Sequence, residues 1–109
     1  MLYIDGNTIR MTRGDTVYLT VPIMNVEEEY TIQSDDVLTL SLKRNVKDAE
    51  YILQKQITGE NTFHIEPTDT SSIPFGKYKY DIQLTCGDGS VYTIIPVSVF
   101  EIMPEVTCQ

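Results

Sequence analysis

Apolar residues recur at every second position along this chain, and that period constrains the fold more than any other feature. Val17, Leu19, Val21 and Ile23 alternate with Tyr18, Thr20, Pro22 and Met24. Leu38, Leu40 and Leu42 alternate with Val37, Thr39, Ser41 and Lys43, while Tyr78, Tyr80, Ile82 and Leu84 alternate with Lys77, Lys79, Asp81 and Gln83. Phe63 and Ile65 flank His64 in a shorter run. Successive side chains of a strand point to opposite faces, so each segment reads as a strand with one buried face. No dozen residues keep a 3.6-residue period. The one helical piece expected is a single turn over residues 68–72, capped by Thr68 or Asp69 and ended by Pro74. Turn signals separate the strands at Arg13-Gly14-Asp15, 25–29, Asp35-Asp36, 58–61, 67–74 and 86–89.

About seven such strands predict an all-β fold, a sandwich or a small barrel. One apolar face per strand favours the antiparallel sandwich, in which two sheets share a core. In the last strand Val91, Thr93, Ile95, Val97 and Val99 read as one face, yet Phe100 and Ile102 fall on the other. The switch falls somewhere after Pro96 and predicts a bulge or a crossing between sheets; Pro96 also removes a ladder donor, so an edge or an irregularity is expected there. Residues 69–80 add a local signature, Asp…Gly-x-Tyr-x-(apolar), that places Tyr78 to turn its hydroxyl back onto the preceding connection. That tyrosine corner favours an immunoglobulin-like sandwich, here without the cysteine pair or tryptophan of antibody domains. The expected domain is 1–109, undivided.

Charge narrows the partners. Eight Lys and Arg against sixteen Asp and Glu give a net charge of −8, which disfavours nucleic acid and anionic membrane surfaces. The first six residues lack the basic and apolar blocks of a signal peptide, and the longest apolar run, Ile94-Ile95-Pro96-Val97, is too short to span a bilayer. Two cysteines, Cys86 and Cys108, are too few for a disulfide scaffold, and a cytoplasmic chain favours free thiols.

Chemistry is sparse. His64, the one histidine, reads as a surface residue that Glu66 on the same face could accompany. No nucleophile elbow, phosphate loop or zinc-protease pattern occurs, so no catalytic residue is assigned and an enzyme is not expected. Asp35-Asp36 and Gly87-Asp88-Gly89 read as turns rather than calcium ligands, so no metal or cofactor is assigned. Arg13-Gly14-Asp15 reads as a tight turn between Met11 and Val17 rather than an integrin motif. Glu27-Glu28-Glu29 reads as a solvated loop, with contact to a basic partner as the alternative. Tyr18, Met24 and Tyr30 either form an exposed apolar patch or pack beneath a loop.

The order of these elements carries a resemblance. Gly14-Asp15-Thr16, the strand Gly76-Lys77-Tyr78-Lys79-Tyr80-Asp81-Ile82-Gln83-Leu84, Asp88-Gly89-Ser90 and the closing Glu105-Val106-Thr107 look like the N-terminal domain of phage baseplate upper proteins and related prophage tail proteins. The resemblance implies an immunoglobulin-like module made in the bacterial cytoplasm and built into a virion tail or baseplate. Its implied partners are other tail and baseplate proteins, with homo-oligomerisation a further option. Those proteins continue into receptor-binding parts, whereas this sequence stops at Gln109. The second functional class is a carbohydrate- or ligand-binding sandwich. It needs exposed aromatic platforms and converging polar groups, and the chain disfavours it: there is no tryptophan, and Tyr18, Tyr51, Tyr78 and Tyr80, four of the seven tyrosines, are taken up by strand faces.

Overall fold

The computed structural model describes residues 2–23 and 30–106. Eight strands and one helical turn follow in order: β1 (Leu2–Asp5), β2 (Thr8–Thr12), β3 (Val17–Thr20), β4 (Val37–Lys43), β5 (Leu53–Thr58), β6 (Thr62–Ile65), α1 (Pro67–Thr70), β7 (Gly76–Thr85) and β8 (Val91–Met103). They form a six-stranded mixed sheet, β1-β2-β8-β7-β4-β5, and a two-stranded sheet, β3-β6. The all-β class holds.

One core joins the two sheets. Leu38, Leu40 and Leu42 of β4 and Tyr78, Tyr80, Ile82 and Leu84 of β7 are buried, as the alternation predicts, against Val17 and Leu19 of β3 and Phe63 and Ile65 of β6. β3 stops at Thr20, short of the long strand expected, although Val21 and Ile23 stay buried beyond it. Asn61 holds the exit from both sides: its carbonyl accepts the Val21 N–H at 2.8 Å, and its side-chain amide donates to the Val21 carbonyl at 3.0 Å.

The chain passes between sheets at Arg13-Gly14-Asp15, and the tripeptide is a turn held from within. Gly14 has φ +82°, a left-handed conformation that glycine adopts without steric cost. Its N–H donates to Oγ1 of the fully buried Thr70 at 2.8 Å. The Arg13 guanidinium meets Glu105 through Nη2 at 2.6 Å and through Nε at 3.0 and 3.1 Å, and lies 5.4 Å from the Phe75 ring centre.

Three expectations change. α1 is the helical turn foreseen, but Glu66 rather than Thr68 or Asp69 is its cap, in a reciprocal box with Asp69, and Pro67 opens it. β2 runs parallel to β8, pairing Ile9–Thr12 with Phe100–Met103. The third change concerns β8. Its register against β7 slips on both sides of the Ile82–Ile95 pair, so β8 carries an extra residue between Thr93 and Ile95 and another between Ile95 and Ser98. The irregularity expected at Pro96 is there, but the face assignment reverses. Ile95, paired with Ile82, joins Phe100 and Ile102 on the core side, whereas Val91 and Val97 are exposed. Each bulge adds one residue and so flips the phase of every side chain beyond it.

The Tyr78 contact forms as predicted: its hydroxyl donates to the Pro74 carbonyl, with the ring 1% exposed. Tyr80, two residues on, donates to the Asn7 carbonyl and stands edge-on to Phe100. Burial pushes the Tyr80 phenol up to about 12.

Candidate functional site

Two surfaces are built by the large sheet. The first is the outer edge of β8. Only its last four residues pair with β2, so from Val91 to Val99 no strand among the described residues covers the side away from β7. Residues 91–100, Val-Tyr-Thr-Ile-Ile-Pro-Val-Ser-Val-Phe, carry no charge in a chain that is 22% charged. Val91, Tyr92 and Val97 are exposed, and Ile94 and Ile95 are half-buried. Open edges normally carry charges, prolines or bulges that stop other strands adding to them. Here Pro96 and the two bulges are such features, and residues 91–93 lie outside them.

The start of β8 adjoins an acidic end of the molecule, where three connections pack together. Asp36 is 2% exposed, and its Oδ2 accepts the Tyr30 hydroxyl at 2.6 Å and the Gln33 N–H at 2.8 Å. These bonds hold its carboxyl below the usual carboxylate range and push the Tyr30 phenol up to about 12. Tyr30 is thereby turned toward the core instead of joining Tyr18 in a surface patch; Met24 and Glu27-Glu28-Glu29 lie outside the described residues. The Asp35 carboxylate presses on Gly87, where a β-carbon would fall 1.8 Å from its Oδ2. Asp88 accepts the Ser90 N–H at 2.9 Å, which lowers its carboxyl. Asp35, Glu60 and Asp88 remain exposed around this end. Among the described residues no group of His, Cys, Asp and Glu is placed to hold a metal ion. Cys86 carries a free thiol, raised by burial and by Asp36 and Asp88, which makes it a poor nucleophile; Cys108 lies outside the described residues.

The second surface is the solvent face of β4, β5 and β7, a concavity of about 350 Å³. Ladder partners set its floor. Thr39 lies opposite Gln83 and Gln56, Ser41 opposite Asp81 and Gln54, and Lys43 opposite Lys79. Gln54 donates to the Ser41 hydroxyl at 3.0 Å and Gln56 to that of Thr39 at 3.2 Å. Tyr51, Val46 and Val97 form apolar walls. Lys43 Nζ donates to the Asp48 carbonyl at 2.7 Å and lies 4.9 Å from the Tyr51 ring centre. Burial raises the Asp81 carboxyl above its ordinary value, against the pull of Lys43.

This second surface was passed over in the sequence because Thr39-Ser41-Lys43 and Lys79-Asp81-Gln83 are what any solvated strand face displays. Tyr51 stands just before β5, off the strand faces, and is 51% exposed. The signal for the surface was the coincidence of two such polar rows with Gln54 and Gln56 on a third strand.

His64 lies on the outer face of β6 as expected. It stacks on Tyr18 with ring centres 4.5 Å apart, and its Nδ1 is 4.0 Å from Glu66. Nearby Asp69 is committed to Lys55 at 2.6 Å. Burial raises the Asp69 carboxyl, but the Lys55 hydrogen bond and the Glu66 amide outweigh it and leave the group lowered.

Compared with protein-family models, curated proteins and solved structures, the chain matches none.

Proposed function

We propose that this chain is a non-enzymatic immunoglobulin-like docking module of a phage or prophage tail or baseplate. The observation that carries the reading is the uncharged β8 edge, which no strand covers among the described residues. A partner's extended segment can add there by main-chain hydrogen bonds, with Val91, Tyr92 and the half-buried Ile94 as side-chain contacts. Exposed Asp88, in the turn that leads into that edge, with Asp35 and Glu60 at the same end of the sheet, favours a basic partner surface and speeds its approach. The immunoglobulin-like assignment is supported by two sheets around one core and by the Tyr78–Pro74 contact. The tail or baseplate setting rests on the resemblance carried by Gly14-Asp15-Thr16, the 76–84 strand and Asp88-Gly89-Ser90.

The test is quantitative mass spectrometry of tail-bearing particles purified from the bacterium that makes the chain. The full chain is expected at a level comparable with known tail proteins. The double variant Val91→Lys with Thr93→Lys, which charges the exposed edge, is expected to fold and to be lost from particles. Absence of the unaltered chain from particles overturns the reading.

A further inference from the structure

We infer that the concavity over β4, β5 and β7 binds an uncharged pyranose unit of a glycan. This site is independent of the docking reading, because its floor is the outer face of the sheet and not the β8 edge.

The chemistry of the floor fits a polyol. Sugar hydroxyls both donate and accept, and they need both kinds of group close together. Gln54 and Gln56 each commit one N–H to Ser41 and Thr39, leaving an amide oxygen and a second N–H on each with no bond among the described residues. Asp81 stands on β7, across Ser41 from Gln54, and offers two carboxylate oxygens of the kind that accept from adjacent hydroxyls. One wall supplies the complementary apolar contact. The C–H face of a pyranose stacks on an aromatic ring, and Tyr51 is half exposed at the rim. Lys43 fixes the ring's surroundings in advance, since it is tied to the Asp48 carbonyl while lying beside the ring. The lining holds charges of both signs, Asp81 against Lys43 and Lys79, and an uncharged sugar is repelled by none of them. The placement of Asp81 supports the assignment. Burial disfavours its charged form, so the residue costs stability where it stands, as a binding group often does. A volume of about 350 Å³ is at the lower end of small-molecule sites and suits one sugar ring.

The experiment is a titration of the ¹⁵N-labelled full chain, followed by NMR, with the methyl glycosides of glucose, galactose, mannose and N-acetylglucosamine, and separately with glucose 6-sulfate. At least one uncharged glycoside is expected to give saturable shifts at the Gln54 and Gln56 side-chain amides and at backbone amides 39–43 and 79–83. Tyr51→Ala and Asp81→Asn, whose spectra should remain those of a folded chain, are each expected to weaken binding by about tenfold. Absence of saturation with every uncharged glycoside overturns the proposal. So do shifts centred on Tyr18 and His64, binding of the sulfated sugar alone, or unchanged affinity in both variants.

Discussion

Replacing Tyr78 by Phe deletes one hydroxyl and leaves the ring where it is. The ring is 1% exposed, and its hydroxyl donates to the carbonyl of Pro74, four residues back in the connection before β7. Pro74 is exposed and the contact is only partly buried, so the full penalty of a buried unsatisfied acceptor does not apply. The loss is then that of one net hydrogen bond, about 1 kcal/mol. Unfolding a chain of this length carries an entropy of roughly 0.2 kcal/mol per degree, so the midpoint should fall by roughly 4 °C. With no tryptophan in the chain, far-UV circular dichroism is the signal of choice. In urea the midpoint should drop with the slope unchanged, since the surface exposed on unfolding is the same. Tyr51→Phe, at an exposed ring, is the matched control and should leave the midpoint in place. If Tyr78→Phe unfolds at the same urea concentration as the unaltered chain, the corner bond contributes nothing and the reasoning fails.

Three further outcomes follow from the same contacts. Gly87→Ala should move the urea midpoint little, because the added carbon meets only the Asp35 carboxylate, which ends an exposed side chain free to turn away; a large drop rescued by Asp35→Ala would refute that. Acid should weaken the fold through carboxyls held below their ordinary values: Asp36 by Tyr30 and Gln33, and Glu105 by Arg13. A lowered group stabilises above its unfolded value, near 4, and that contribution is lost as pH falls through the folded value. Urea midpoints at pH 7 and pH 3 should therefore differ, and Glu105→Gln should lower the first and narrow the gap; an unchanged gap counts against the pair. Asp81 has the opposite sign, since its carboxyl is raised. Its charge opposes folding above the raised value and ceases to do so in acid, so Asp81→Asn should raise the midpoint at pH 7, and a lower midpoint there would contradict the argument.

How far the sequence discloses this architecture depends on whether a strand has one clean phase. β4, β6 and β7 do, and their buried sets match the alternation residue for residue. β5 was not legible because its core side carries Lys55 between Leu53 and Ile57; the lysine reaches Asp69 of α1 instead of solvent. β8 was half legible. Pro96 marked the irregularity, but two inserted residues reverse the phase twice, and a strand with apolar residues on both faces offers no contrast by which to count them. The parallel pairing of β2 with β8 joins residues about ninety positions apart, for example Arg10 with Glu101 at 3.1 Å, and no local pattern encodes it. The β8 edge and the concavity were the least legible part. An open edge is a property of which strand is missing beside β8, and the concavity is a property of three strands together.

Docking through the β8 edge, as proposed, is open to direct observation. A cryo-electron microscopy reconstruction of the tail-bearing particle tests it directly. An extended segment of a neighbouring protein is expected alongside residues 91–93 at strand spacing, about 4.8 Å away. A particle in which the domain is present but that edge faces solvent, with contact made elsewhere, would contradict it.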